Sequence, residues 1–183
     1  MKSALLLIDI QNDYFEYGKN PLVGSNVAVN KANELLKFFR DKGKSVFHVQ
    51  HVSTRPDATF FIPDTNGVEI HQQVKPLESE VVVLKHYPNS FRDTILLDEL
   101  KKSGIEQLFI CGMMSHICVD TTVRAAKDLG FECIVAADAC ATRSLEFKGQ
   151  YVDASMVQAS FMAALSYFFA KVISVDECCE MLA

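Results

Sequence analysis

The amino-acid sequence predicts a single α/β domain, a doubly wound, mainly parallel six-stranded sheet with helices on both faces. Three observations predict it. Apolar runs of strand length alternate with longer segments of helical periodicity. Five of those runs are almost continuously hydrophobic, as strands of a sheet covered on both faces should be. Glycines stand just past three of the helical segments, where a left-handed cap ends a helix. The 183 residues, 49% hydrophobic and 22% charged, are enough for one core and show no compositional break. One domain therefore spans 1–183.

The first strand is Ala4–Ile10, where Asp9 interrupts the apolar run too early for the core of a signal peptide. Asn26–Lys42 carries Val27, Val29, Ala32, Leu35, Leu36 and Phe39 at helical spacing and stops at Gly43. Ser45–Val52 is the second strand. The long connection Ser53–Ser79, punctuated by Pro56, Pro63, Gly67 and Pro76, reads as an irregular cover over one sheet edge. Val81–Lys85 follows as a strand, Thr94–Ser103 as a helix ended by Gly104, and Gln107–Cys111 as a strand. Ile117–Leu129 is a helix ended by Gly130, and Phe131–Ala137 is the fifth strand. Gln150–Ala170 reads as a fourth helix, Lys171–Val175 as the sixth strand, with a short helix after Asp176. Within the fourth helix, apolar Ala159–Ala170 falls short of the ~20 residues of a membrane span and reads as a core helix.

Composition excludes several functions. The net charge of −5 is spread along the chain, without a Lys/Arg cluster for nucleic acid or a basic amphipathic helix for a membrane surface. Six cysteines without an export signal or dense spacing point to free thiols in a reducing cytoplasm. The absence of paired C-x-x-C motifs argues against zinc, and glycine motifs for phosphate or dinucleotide binding are absent.

In doubly wound sheets functional groups gather at the carboxyl ends of strands. That rule selects Asp9, Lys85 and the loop after Cys111 together. In Cys111-Gly112-Met113-Met114-Ser115-His116-Ile117-Cys118 a strand breaks at a glycine and a short loop delivers Cys118 to the first turn of a helix. The helix N-terminus favours thiolate, and its free N–H groups are suited to a developing oxyanion. Lowering a thiol from ~8.5 to ~6 takes about 3.4 kcal/mol, of which a helix N-terminus supplies about 1. A neighbouring cation, Lys85, is the expected source of the rest. Cys111 and Cys133 lie inside apolar strands, where a thiolate is destabilised.

Two rival patterns fail. Cys118 and Arg124 have C-x5-R spacing, but Val119-Asp120-Thr121-Thr122-Val123 between them is β-branched and acidic, poorly suited to curl around phosphate. His48 and His51 are three apart, which on a strand places them on opposite faces. His116 is near enough to Cys118 to act as a base, although lining the loop or pocket is its expected role.

These residues resemble the isochorismatase-like cysteine hydrolases over nearly the whole chain. Asp9-Ile10-Gln11-Asn12-Asp13-Tyr14-Phe15 is similar to that family's opening D-x-Q-N-D-F motif. Lys85 with Asn89-Ser90-Phe91-Arg92-Asp93-Thr94 resembles its lysine and S-x-F-x-x-T segment. Gly112–Val119 resembles its nucleophile loop, and Asp138-Ala139-Cys140-Ala141-Thr142 the segment after the next strand. The resemblance implies a Rossmann-like topology and a triad of Asp9, Lys85 and Cys118. It also implies a cis peptide between Met113 and Met114 that turns the Met114 and Cys118 N–H groups toward one oxygen. Phe15 and Phe91 are implied as pocket walls, with Gln11 and His116 beside the substrate.

The chain has Val49-Gln50-His51-Val52-Ser53 where metal-binding nicotinamidases of this family carry D-x-H, so no metal and no cofactor are expected. The expected activity is hydrolysis of a C–N bond in a small amide or N-carbamoyl compound through a thioester. The alternatives are vinyl ether hydrolysis without a covalent intermediate and a non-catalytic, redox-sensing member of the fold. The expected partners are a small-molecule substrate and further copies of this chain, as a dimer or higher oligomer. Ala159–Ala170 and Phe60-Phe61-Ile62 are compatible with such an interface.

Overall fold

A computed structural model describes residues 1–183. Six parallel strands form the central sheet: β1 (Ser3–Ile8), β2 (Ser45–His51), β3 (Val81–Lys85), β4 (Gln107–Met113), β5 (Glu132–Ala141) and β8 (Lys171–Ile173), in the order β3-β2-β1-β4-β5-β8. Around them lie α1 (Ser25–Asp41), α2 (Leu96–Lys102), α3 (Asp120–Asp128), α4 (Ala154–Phe168) and α5 (Val175–Leu182). The fold is the doubly wound arrangement read from the sequence. Winding reverses between β1 and β4, and such a switch point opens a crevice at the carboxyl ends of its two strands. Asp9 follows one of those ends and the Cys118 loop the other.

Burial explains the strand patterns. All of β1 is buried, matching its unbroken apolar sequence. β3 is an edge strand whose residues alternate, with Val83 and Lys85 turned inward and Val82 and Leu84 exposed. Lys85 is buried because it shares the face of Val83. No helix is long and apolar enough to cross a membrane.

Two expectations need correction. The fourth helix begins at Ala154 rather than Gln150. Gln150–Val152 (β7) instead pairs antiparallel with Leu145–Phe147 (β6). The two-residue turn between them, Lys148 and Gly149, has φ of 49° and 77°, the left-handed pair that matches hairpin twist. Nor is α4 a core helix. It buries Ala154, Val157, Met162 and Leu165 but leaves Met156, Tyr167 and Phe168 exposed, so it packs by one face only.

At the opposite edge of the sheet from the crevice, a polar cluster pins the end of the long cover loop. Glu80 accepts from Arg40 Nε (2.7 Å) and Nη2 (2.8 Å) and from the Leu77 N–H (2.9 Å), and pairs with His48 Nε2 (2.8 Å). Burial alone would raise the Glu80 carboxyl, but these donors bring it down to about 2. A depressed carboxyl contributes stability above its ordinary value of 4.5 that is lost as pH falls toward 2. Glu80→Gln is therefore expected to lower neutral-pH stability by about 2 kcal/mol. Urea titrations of the two proteins should converge on acidification.

Candidate active site

Asp9 is the first residue beyond β1 and has a positive φ of 51°, a conformation that aspartate tolerates better than most residues. Its N–H donates to Val49 O (3.0 Å), so the turn is tied to β2. Both Asp9 and Lys85 are 0% exposed, and Lys85 Nζ lies 2.8 Å from Asp9 Oδ2. The lysine side chain passes the end of β2 to reach the carboxylate, since β2 separates the two strands. Its ammonium also donates to Pro88 O (2.9 Å). The loop carrying Pro88 is anchored to α3, because the Ser90 N–H and hydroxyl both bond Thr122 Oγ1 (3.1 and 2.9 Å). The Asn89–Thr94 segment thus acts as a brace behind the lysine.

Cys118 sits in a π turn, Ser115–Val119, closed by the Val119 N–H on Met114 O (3.2 Å). This turn precedes α3, so the helix that the sequence starts at Ile117 has a widened first turn. Gly112 makes the approach possible. Its φ is 138°, and a Cβ there would lie 2.0 Å from Ile8 O, one residue before Asp9. The Met113–Met114 peptide is cis. The Met114 N–H, just past β4, has no acceptor within the chain.

Donor atoms of Asp9, Cys118 and His51 lie within 4.8 Å of one another. His51 ends β2, with Nδ1 3.9 Å from Asp9 Oδ2. The carboxylate already has the Lys85 ammonium as its cationic partner. Its two oxygens are buried without an aligned hydrogen-bond donor, which leaves acceptor capacity beside the thiol.

Electrostatics correct one expectation. Burial would raise the Asp9 carboxyl, but Lys85 and then His51 hold it below its ordinary value. Burial would lower Lys85, but the Asp9 carboxylate and the Cys118 sulfur together bring it above its ordinary value. The Cys118 thiol is pushed up, not down, first by burial and then by the Asp9 carboxylate, with Lys85 opposing too weakly. A lysine already paired at 2.8 Å presents little net charge to a second anion, and Cys118 is only 3% exposed. The resting residue is a thiol beside an ion pair.

The sulfur opens onto a cavity of about 470 Å³, walled by Tyr14, Phe60, Phe61, Tyr87, Met114 and Ile117, with His51 and His86 among its polar edges. Arg92 stacks on Tyr87 at 3.6 Å, and Phe61 meets Tyr14 edge-on at 4.7 Å. Phe60 and Phe61 thus line this cavity, and the neighbouring Ile62 is exposed.

Four residues expected beside the substrate do not line this cavity. Phe15 stacks on His71 at 4.0 Å, because the 3-10 turn Asn12–Tyr14 turns Tyr14, not its neighbour, toward the cavity. Phe91 packs on Phe131 at 6.1 Å. His116 Nδ1 bonds Thr142 Oγ1. Gln11 is fully buried and spends its amide on the backbone of His51 and Val68. Arg124 is bound to Asp120 (2.8 and 2.9 Å), which leaves the C-x5-R spacing without a phosphate cradle.

Sequence reasoning missed Tyr14, Phe61 and His51. The strand-end rule selects His51 once β2 is known to stop there, whereas a strand drawn to Val52 hides it. Asp13 was also missed. Its buried carboxylate accepts the Lys19 N–H (3.0 Å) and the Phe61 N–H (2.6 Å), holding a cavity wall in place. Asp13→Ala leaves two N–H groups unpaired, a cost of about 1–3 kcal/mol for each that stays buried. Thermal melting should fall by at least about 2 °C. Binding should suffer more than chemistry, so KM rises while kcat changes little.

The family model described as the isochorismatase domain matches residues 3–177. The uncharacterized isochorismatase family protein YddQ of Bacillus subtilis (strain 168) is 50% identical over 176 residues, 96% of this chain and 98% of its own. A crystal structure assigned to an isochorismatase hydrolase from Oleispira antarctica superposes with a TM-score of 0.95 at 50% identity, covering 98% of this chain and 96% of its own. More distant are a streptothricin hydrolase of Streptomyces noursei, 34% identical over 76% of this chain and 49% of its own, and Nicotinamidase 3 of Arabidopsis thaliana, 26% identical over 96% and 86%.

Proposed function

This chain belongs to the isochorismatase family of hydrolases, and from that premise we propose that it opens a C–N bond of a small amide or N-carbamoyl compound through a thioester on Cys118. The observation that carries the reading is the buried Asp9–Lys85 pair beside a thiol that faces a cavity walled on one side by aromatic rings. Cys118 rests protonated, so activation is coupled to attack: Asp9 takes the Sγ proton as sulfur adds to the carbonyl carbon. Lys85 keeps Asp9 ionised beforehand and stabilises the negative charge that develops on sulfur. The Met114 and Cys118 N–H groups receive the oxyanion, a role for which the unpaired Met114 donor is free. The proton then passes to the leaving nitrogen, and water releases the acyl group by the reverse path.

The names of the streptothricin hydrolase and nicotinamidase relatives fit a hydrolytic role on nitrogenous small molecules. Cleavage of a vinyl ether would leave Cys118 without a task, and a purely redox-sensing role would leave the ion pair unexplained. The proposal extends to a cytoplasmic protein, since all six cysteines are free. It also extends to a homo-oligomer in which a second copy covers the outward face of α4, where Tyr167 and Phe168 are exposed. A screen of small amides, ureido acids and isochorismate, read as ammonia and carbonyl products, tests the reaction. Turnover of amides or ureido acids is the expected result, and turnover of isochorismate alone would overturn it.

A further inference from the structure

We propose that His51 relays protons between the buried Asp9 carboxylate and the molecule in the cavity, an inference that rests on the amide-hydrolase reading above. Asp9 is 0% exposed and does not border the cavity, so a neighbouring group that does border it is placed to carry a proton on to a leaving group. His51 does line the cavity, with an 18% exposed side chain, and turns Nδ1 toward Asp9 Oδ2 at 3.9 Å. That separation is a hydrogen bond after a shift of about 1 Å, and catalytic contacts commonly tighten when substrate binds.

The chain fixes this histidine with unusual thoroughness. Gln11 Oε1 accepts the His51 N–H (2.8 Å), and Gln11 Nε2 donates both to His51 O (2.8 Å) and to Val68 O (2.7 Å). A fully buried carboxamide is committed to the backbone of the last β2 residue. On the other side the ring leans on Phe61 at 5.7 Å, and Phe61 is itself held by Asp13. A histidine that only fills space at a sheet edge requires no such clamp; one whose ring must bridge two fixed points does.

The transfers balance. As the C–S bond forms, the Sγ proton moves to Asp9. Asp9 passes it to His51 Nδ1 while His51 Nε2–H protonates the leaving nitrogen, and the C–N bond breaks. In the second half, water gives a proton to Nε2 as its oxygen attacks the thioester, and Nδ1–H returns a proton through Asp9 to the departing sulfur. Net, one water is consumed and every side chain is restored.

Phenyl acetate and acetanilide test the relay, because they share acyl and aryl groups and differ only in the atom expelled. In kcat/KM, which covers steps up to the acyl enzyme, aniline needs a proton and phenolate does not. His51→Ala and His51→Gln should lower kcat/KM for acetanilide by about 10²-fold or more. For phenyl acetate the fall should stay below about tenfold, and added imidazole should restore acetanilide cleavage to His51→Ala. Equal losses on both substrates in the two variants, or no loss on acetanilide, would overturn the relay alone. A native enzyme whose cleavage of both probes survives Cys118→Ala would overturn the thioester reading and the relay with it.

Discussion

Cys118→Ala is expected to lower kcat for amide cleavage by about 10⁴-fold or more while the protein stays folded. The two halves of that result have separate causes. Without sulfur, Asp9 has no proton to take and no covalent intermediate forms, so only binding and the oxyanion donors remain. Folding is little affected, because one buried sulfur atom is removed and no charge loses its partner, a loss of about 1 kcal/mol. Steady-state assays beside thermal melts measure both. Activity that survives the substitution would remove Cys118 from the reaction.

Lys85→Met has the larger structural effect. It leaves the Asp9 carboxylate buried without its cation, which typically costs 3–5 kcal/mol, and activity should fall below detection. The pH dependence provides the sharper signature. In the native protein the lowered Asp9 carboxyl contributes stability above its ordinary value of 3.8, lost as pH falls through the folded value. In the variant, burial, the largest influence on this group, is opposed only by His51 and raises that carboxyl, so folding is favoured on acidification instead. The stability gap between the two proteins should narrow as pH is lowered from neutral in denaturant titrations. Adding Asp9→Asn to Lys85→Met should recover much of the stability and none of the activity, since it removes the orphaned charge.

The parts of this molecule legible in the sequence are those governed by short-range rules. Unbroken apolar runs located the parallel strands, and Gly43, Gly104 and Gly130 marked the helix ends. The rule of strand ends drew Asp9, Lys85 and Cys118 to one edge, where the fold also brings them. What escaped depends on direction and environment. Tyr14 rather than Phe15 faces the cavity because a 3-10 turn rotates the chain by an amount no motif records. The exposed face of α4 looked like core because its residues are apolar on every side, and hydrophobicity alone does not say which side has a neighbour. The direction of the Cys118 shift was misread for a similar reason. A helix terminus and a lysine are visible as residues, but the burial of the thiol and the prior commitment of Lys85 to Asp9 are properties of the packed site.

The central claim is that Cys118 carries the acyl group of a small amide or N-carbamoyl substrate, activated by proton transfer to Asp9. Rapid acid quench during turnover of a substrate from the screen, followed by intact and peptide mass spectrometry, reads that species directly. The account predicts an acyl mass on the peptide containing Cys118, lost on treatment with hydroxylamine and absent from Cys118→Ala. Turnover at the native rate with that peptide unmodified throughout, and undiminished in the alanine variant, would contradict it.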